Sequence, residues 1–96
     1  MQNLGIAMTG SGSAVPATFL DNQSLTELVE TSDDWITTRT GIRQRRLASS
    51  SETLAELATA ASRQAIAAAG INPLDLDLIL LATSTPDDLF GTACQI

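Results

Sequence analysis

One indole and four guanidinium groups fall in a single short stretch of this sequence: Trp35, Arg39, Arg43, Arg45 and Arg46. An indole face stacks on a purine, and guanidinium groups hold phosphates through several oriented N–H donors, so the set has the chemistry to retain an adenine nucleotide. Trp35 and Arg39 stand at i and i+4, which on a helix places them on one face about a turn apart. The same residues also describe a tryptophan packed into a core beneath a solvated basic rim, and composition leaves both readings open. Cys94 is the only thiol. A reactive cysteine needs a helix N-terminus or a positive partner; with no His in the chain and no adjacent Arg, Cys94 reads as a buried core thiol, not a nucleophile.

Around that basic stretch the chain is acidic: 96 residues carry a formal charge of −6, with neither Lys nor His, and the pI is ≈ 4.1. This argues against coating nucleic acid or an anionic membrane, while leaving room for a local anion site. A single cysteine rules out an internal disulfide framework and a multi-cysteine zinc site, and the lack of His makes any ordinary zinc site hard to build. No metal site is expected. The N-terminus lacks the basic region of a secretory signal, and no apolar run approaches the ~20 residues that span a bilayer as a helix. A soluble, cytoplasmic protein is expected.

The elements that must position these side chains follow from pattern. Leu4 to Met8 predicts a short strand running into the small residues Thr9 to Ser13, where other backbone can approach closely, and Pro16 ends it. Asn22 is read as the cap of a short helix with Leu25, Leu28 and Val29 on one face; Ser24 and Glu27 offer an alternative capping box. Ser32 caps a second helix with Asp33 and Asp34 in its first turn, and Gly41 supplies a left-handed stop. Ile42 to Leu47 is extended, and the Ser49 to Ser51 loop provides the next cap. Glu52 to Ala69 is the clearest helix, with Leu54, Leu57, Ala58, Ala61, Ala65 and Ala68 at the 3.6-residue period, and Gly70 terminating it with Ile71 against the cap. Its alanines permit close packing. Asn72-Pro73 turns the chain into Leu78 to Ala82, an unbroken apolar run suited to a strand buried on both faces of a parallel sheet. After the polar loop Thr83 to Asp88, Leu89 to Ile96 opens another apolar pattern. The order is that of an incomplete α/β layered domain, with no repeat, linker or second domain.

The run Thr31-Ser32-Asp33-Asp34-Trp35-Ile36-Thr37-Thr38-Arg39-Thr40-Gly41-Ile42-Arg43 closely resembles a segment near the start of the β-ketoacyl-acyl carrier protein synthase III family. The resemblance extends to Gly10-Ser11-Gly12 with Pro16, the helix from Glu52-Thr53 to Ala69-Gly70-Ile71, Leu80-Leu81-Ala82-Thr83 and Ala93-Cys94-Gln95-Ile96, and so covers essentially the whole chain. It implies the N-terminal part of the first half of a thiolase-like αβαβα fold, occupying residues 1–96, from a protein that is usually a homodimer. Such enzymes move an acyl group from acyl-CoA, typically acetyl-CoA, onto a cysteine. They then condense it with malonyl-acyl carrier protein, releasing carbon dioxide and initiating fatty acid synthesis, without metal or redox cofactor.

Carried over by the motif, Trp35 stacks on the adenine of coenzyme A, Arg39 approaches its phosphates and Thr31 sits beside the adenine. Phe90 matches an aromatic that reaches across the dimer interface to limit the acyl pocket, although Gly91-Thr92-Ala93 is one residue shorter than the commonest pattern. Arg43, Arg45 and Arg46 are read either as attracting carrier protein or coenzyme A, or as a solvated strand edge. The family's acyl-accepting cysteine lies beyond Ile96, and its His and Asn lie in the second half. No catalytic residue is therefore assigned within 1–96, and this stretch alone is expected to be inactive. Two alternatives stay open: a related thiolase-fold condensing enzyme, such as a polyketide one, and a short non-catalytic module binding a nucleotide or a partner.

Overall fold

In the computed structural model, residues 4–89 and 91–96 are described, and they form two compact units, Val15–Glu52 and Met1–Ala14 with Thr53–Ile96. The expectation placed on Phe90 lies outside the described residues.

In Val15–Glu52, strand β1 (Thr18–Asp21) pairs antiparallel with β2 (Gln44–Leu47), Thr18 opposite Leu47 and Asp21 opposite Gln44. Between them in sequence lie the short helix α1 (Asn22–Leu25) and the two-turn helix α2 (Asp33–Thr40). The cap of α1 is Asp21, whose Oδ1 accepts from Ser24 N at 2.8 Å, and not Asn22. The amide of Asn22 is committed elsewhere, as described below. The expected apolar face of α1 also fails to develop: the helix ends at Leu25, and Leu28 and Val29 lie exposed in the turns after it. Helix α2 begins where its chemistry predicts. Ser32 Oγ accepts from Trp35 N, Asp33 and Asp34 put negative charge against the positive end of the helix dipole, and Gly41 closes the helix at φ 72°. Of the apolar side chains described, Ile36 on this helix is the buried one, at 9% exposure.

In the other unit the long helix α3 (Leu54–Ala69) carries a full capping box. Thr53 Oγ1 accepts from Glu56 N, and the Glu56 carboxylate accepts from Thr53 N. The cap is thus Thr53, two residues beyond the serine-rich loop that was expected to supply it. Gly70, at φ 68°, ends the helix, and Ile71 N reaches back to Ile66 O. The small residues predicted to allow close approach do so. A Cβ at Gly12 would collide with Ala61 O and stand 2.8 Å from Ala65 N; one at Gly10 would collide with Ala65 O. Ser13 N donates to Gln64 Oε1 on the same helix.

Two expected strands are absent as ladders. Leu4–Met8 and Leu78–Ala82 pair with nothing in the described residues, and the one sheet is antiparallel, not parallel. Leu78 and Leu80 are 73% and 86% exposed. An apolar run becomes a buried strand only when neighbours satisfy its backbone groups, and neither run has them here. Asn72-Pro73 turns as expected, through a 3₁₀ turn, Pro73–Asp75, capped by the Asn72 side chain. A second 3₁₀ turn, Ala93–Gln95, contains Cys94, which is exposed; the expectation of a buried thiol is overturned because a single short turn encloses no core around it.

Candidate functional site

Helix α2 presents two faces, fixed by its residue spacing. Trp35 and Arg39 occupy one side; Asp33 and Thr37, each two residues or about 200° removed, occupy the other. On the outer side Trp35 is 54% exposed, and Arg39 places its guanidinium carbon 4.8 Å from the ring centroid. Within these residues the indole is therefore an open face and not a core side chain. A stacked guanidinium keeps its N–H donors at its rim, so Arg39 can cover the indole and still bind an anion.

Beside the indole lies an open depression of about 240 Å³ lined by Glu30, Thr31, Ser32 and Trp35. Two of the three residues predicted for nucleotide contact, Thr31 and Trp35, thus share a surface, and Arg39 joins them through the ring. Ser32 Oγ is occupied in capping, which leaves the Thr31 hydroxyl and the Glu30 carboxylate as the polar lining that can meet a ligand. The depression is electrically polar, with a carboxylate at Glu30 and a guanidinium carried on the indole at Arg39.

The inner side of α2 is held by a residue whose importance sequence reasoning missed. Asn22 is 1% exposed. Its Nδ2 donates to Asp33 Oδ1 at 2.8 Å, to Ile42 O at 2.8 Å and more weakly to Thr37 Oγ1 at 3.4 Å; its Oδ1 accepts from Arg45 Nη2, and its backbone N donates to Arg43 O at 3.0 Å. Arg45 has no acceptor and the Ile42 carbonyl no donor, so the amide can adopt only this orientation. Thr37 Oγ1 in turn donates to Asp33 Oδ1 at 3.1 Å. These donors hold the Asp33 carboxyl below its ordinary range, Asn22 contributing most and then Thr37; desolvation and the Asp21 charge oppose them, and the Arg43 charge assists. The signal for this role was present in the sequence only as an asparagine in a turn, a type that usually caps.

The basic cluster divides by use. Arg45 also donates to Leu20 O at 3.2 Å, and Arg46 donates to Pro16 O at 3.0 Å with its guanidinium 5.8 Å from the Phe19 ring. Both clamp β1 to β2. Glu52 closes the unit by accepting from Ala17 N and Ser49 N, which hold its carboxyl below the usual range, Ser49 most.

Comparison with known proteins bears on all 96 residues. A synthase named β-ketoacyl-[acyl-carrier-protein] synthase III from Nostoc sp. is 75% identical over the whole chain, and one of the same name from Trichodesmium erythraeum is 60% identical. In each case the chain spans 29% of the relative's length. Among solved structures, a 3-oxoacyl-[acyl-carrier-protein] synthase III from Aquifex aeolicus superposes with a TM-score of 0.82 at 48% identity, covering 90% of this chain and 28% of that one. A priming β-ketosynthase of a polyketide pathway superposes at 0.68 with 36% identity over 82% of this chain and 25% of that one. No family profile matches the sequence.

Proposed function

The chain belongs to the β-ketoacyl-[acyl-carrier-protein] synthase III family, and from that premise we propose that it supplies the nucleotide end of an acyl-CoA site in a condensing enzyme of fatty acid synthesis. The observation that carries this reading is the exposed Trp35 ring with Arg39 stacked on it beside the depression at Thr31. Coenzyme A ends in an adenine nucleotide, and an indole face with a guanidinium at its rim suits both parts. Charge sets the direction in which the nucleotide lies. Phosphates are repelled by Glu30, and by Asp33 and Asp34 at the start of α2, and are attracted to Arg39 in its last turn. The base then lies in the depression, with the Thr31 hydroxyl and the Glu30 carboxylate available to its exocyclic amino group.

In this reading the reaction takes an acyl group from acyl-CoA, typically acetyl-CoA, and joins it to malonyl-acyl carrier protein with loss of carbon dioxide. The remote nucleotide contacts hold the substrate while residues outside 1–96 perform the chemistry, and a homodimer completes the pocket. A second condensing reaction, priming of a polyketide, stays in play because a polyketide priming enzyme is among the structures that superpose. The test is to supply the protein that carries this segment with labelled acetyl-CoA and malonyl-acyl carrier protein. Formation of 3-oxobutanoyl-acyl carrier protein with one carbon dioxide per turnover is expected; acyl transfer confined to longer or branched primers would favour the polyketide reading, and no transfer from any acyl-CoA would refute both.

A further inference from the structure

We propose that Asn22 is the positioning residue for the Trp35–Arg39 platform, setting the orientation of α2 through its buried inner side; this rests on the nucleotide reading of that platform. Helix α2 has only eight residues, and an isolated helix of that length does not hold its own geometry. Something outside it must. Asn22 meets it along its length: the Asp33 carboxylate at its first residue, the Thr37 hydroxyl one turn on, and the Ile42 carbonyl just past Gly41. Through Arg45 on β2 and the Arg43 carbonyl just before it, the same side chain and its backbone tie the helix to that strand.

Because Asp33 and Thr37 lie opposite Trp35 and Arg39, these bonds fix the angle of the platform without touching anything bound to it. A helix freed on its inner side would rotate or tilt, carrying the indole away from the depression. The effect of losing Asn22 therefore falls on nucleotide affinity and leaves the reacting end of the substrate alone.

Asn22→Asp is the informative variant, since it keeps the shape and the acceptor for Arg45 but removes both Nδ2 donors. It sets a second carboxylate against Asp33, with Asp21 adding like charge and Arg43 and Arg45 opposing it. In the full-length protein, calorimetric titration with coenzyme A at neutral pH is expected to show roughly tenfold weaker binding than in the unmodified protein. Turnover with acetyl-pantetheine, which has no nucleotide, should be unchanged. Coenzyme A affinity unaltered in Asn22→Asp while Trp35→Ala weakens it would overturn the positioning role alone; no effect of Trp35→Ala would overturn the nucleotide reading and this role with it. If Asn22→Asp does not fold, Thr37→Val removes one member of the network, and a loss of coenzyme A affinity of roughly two- to threefold is expected; unchanged affinity contradicts the proposal.

Discussion

A carboxylate that accepts several hydrogen bonds resists protonation, and three such groups hold Val15–Glu52 together. Asp33 is held below its ordinary value by Asn22 and Thr37, Glu52 by Ser49 and Ala17, and Asp21 by the Ser24 amide and hydroxyl. A carboxyl whose value is lower folded than unfolded adds stability that is full above the unfolded value, near ~4, and is lost as pH falls through the folded one. Thermal melting of a protein carrying this unit should therefore be insensitive to pH around neutrality and decline below about pH 4. Asp33→Asn should flatten that decline and lower the melting temperature at neutral pH; an unchanged acid limb would show that Asp33 is not a folding-linked group. The basic residues teach a related point. Spacing put Trp35 and Arg39 on one helix face but left core and platform both open, and it said still less of Arg45 and Arg46. Nothing local tells a guanidinium that will meet carbonyls 25 and 30 residues away from one left in solvent.

Among the elements, helix termini were the most legible feature because their chemistry is local. Ser32, Gly41 and Gly70 act as their types dictate, and Thr53 with Glu56 forms a reciprocal box. Less visible was Asp87, whose two carboxylate oxygens accept from Leu54 N and Ala55 N at 2.8 Å each, pinning the loop before Thr92 to the start of α3 from 32 and 33 residues away. Asp87→Ala should destabilise this unit by about 1–2 kcal/mol, read as a lower denaturant midpoint with an unchanged slope. The approach of Gly12 to α3 is less tolerant. Gly12→Ala places a methyl against the Ala61 carbonyl, and a loss of about 1–3 kcal/mol is expected from the forced separation. Gly5→Ala, with open space around it, is the matched control and should cost little.

At the scale of the whole molecule, α/β character was legible but pairing was not. Leu4–Met8 and Leu78–Ala82 have the composition of buried strands, yet a strand is defined by a partner, and the partners are not among the described residues. The antiparallel β1–β2 pair was half visible, as the extended run into Leu47; Thr18–Asp21 was hidden because Pro16 and Asn22 read as punctuation. Since the chain spans 29% of its relatives' length, the account predicts where the difference lies. Amides of Leu78–Leu81 should exchange freely in the 96-residue chain and be protected in one of the relatives' full length; free exchange in both would show that this run is no strand.

The proposed function turns on whether the indole platform grips the nucleotide end of acyl-CoA, and the most direct measurement is steady-state acyl transfer by the full-length protein and its Trp35→Ala variant, using acetyl-CoA and acetyl-pantetheine in parallel. Base–aromatic stacking contributes about 1–3 kcal/mol, so the account predicts a roughly tenfold or larger rise in KM for acetyl-CoA, an unchanged kcat, and no difference with acetyl-pantetheine. An equal loss with both substrates, or no loss with either, would contradict it.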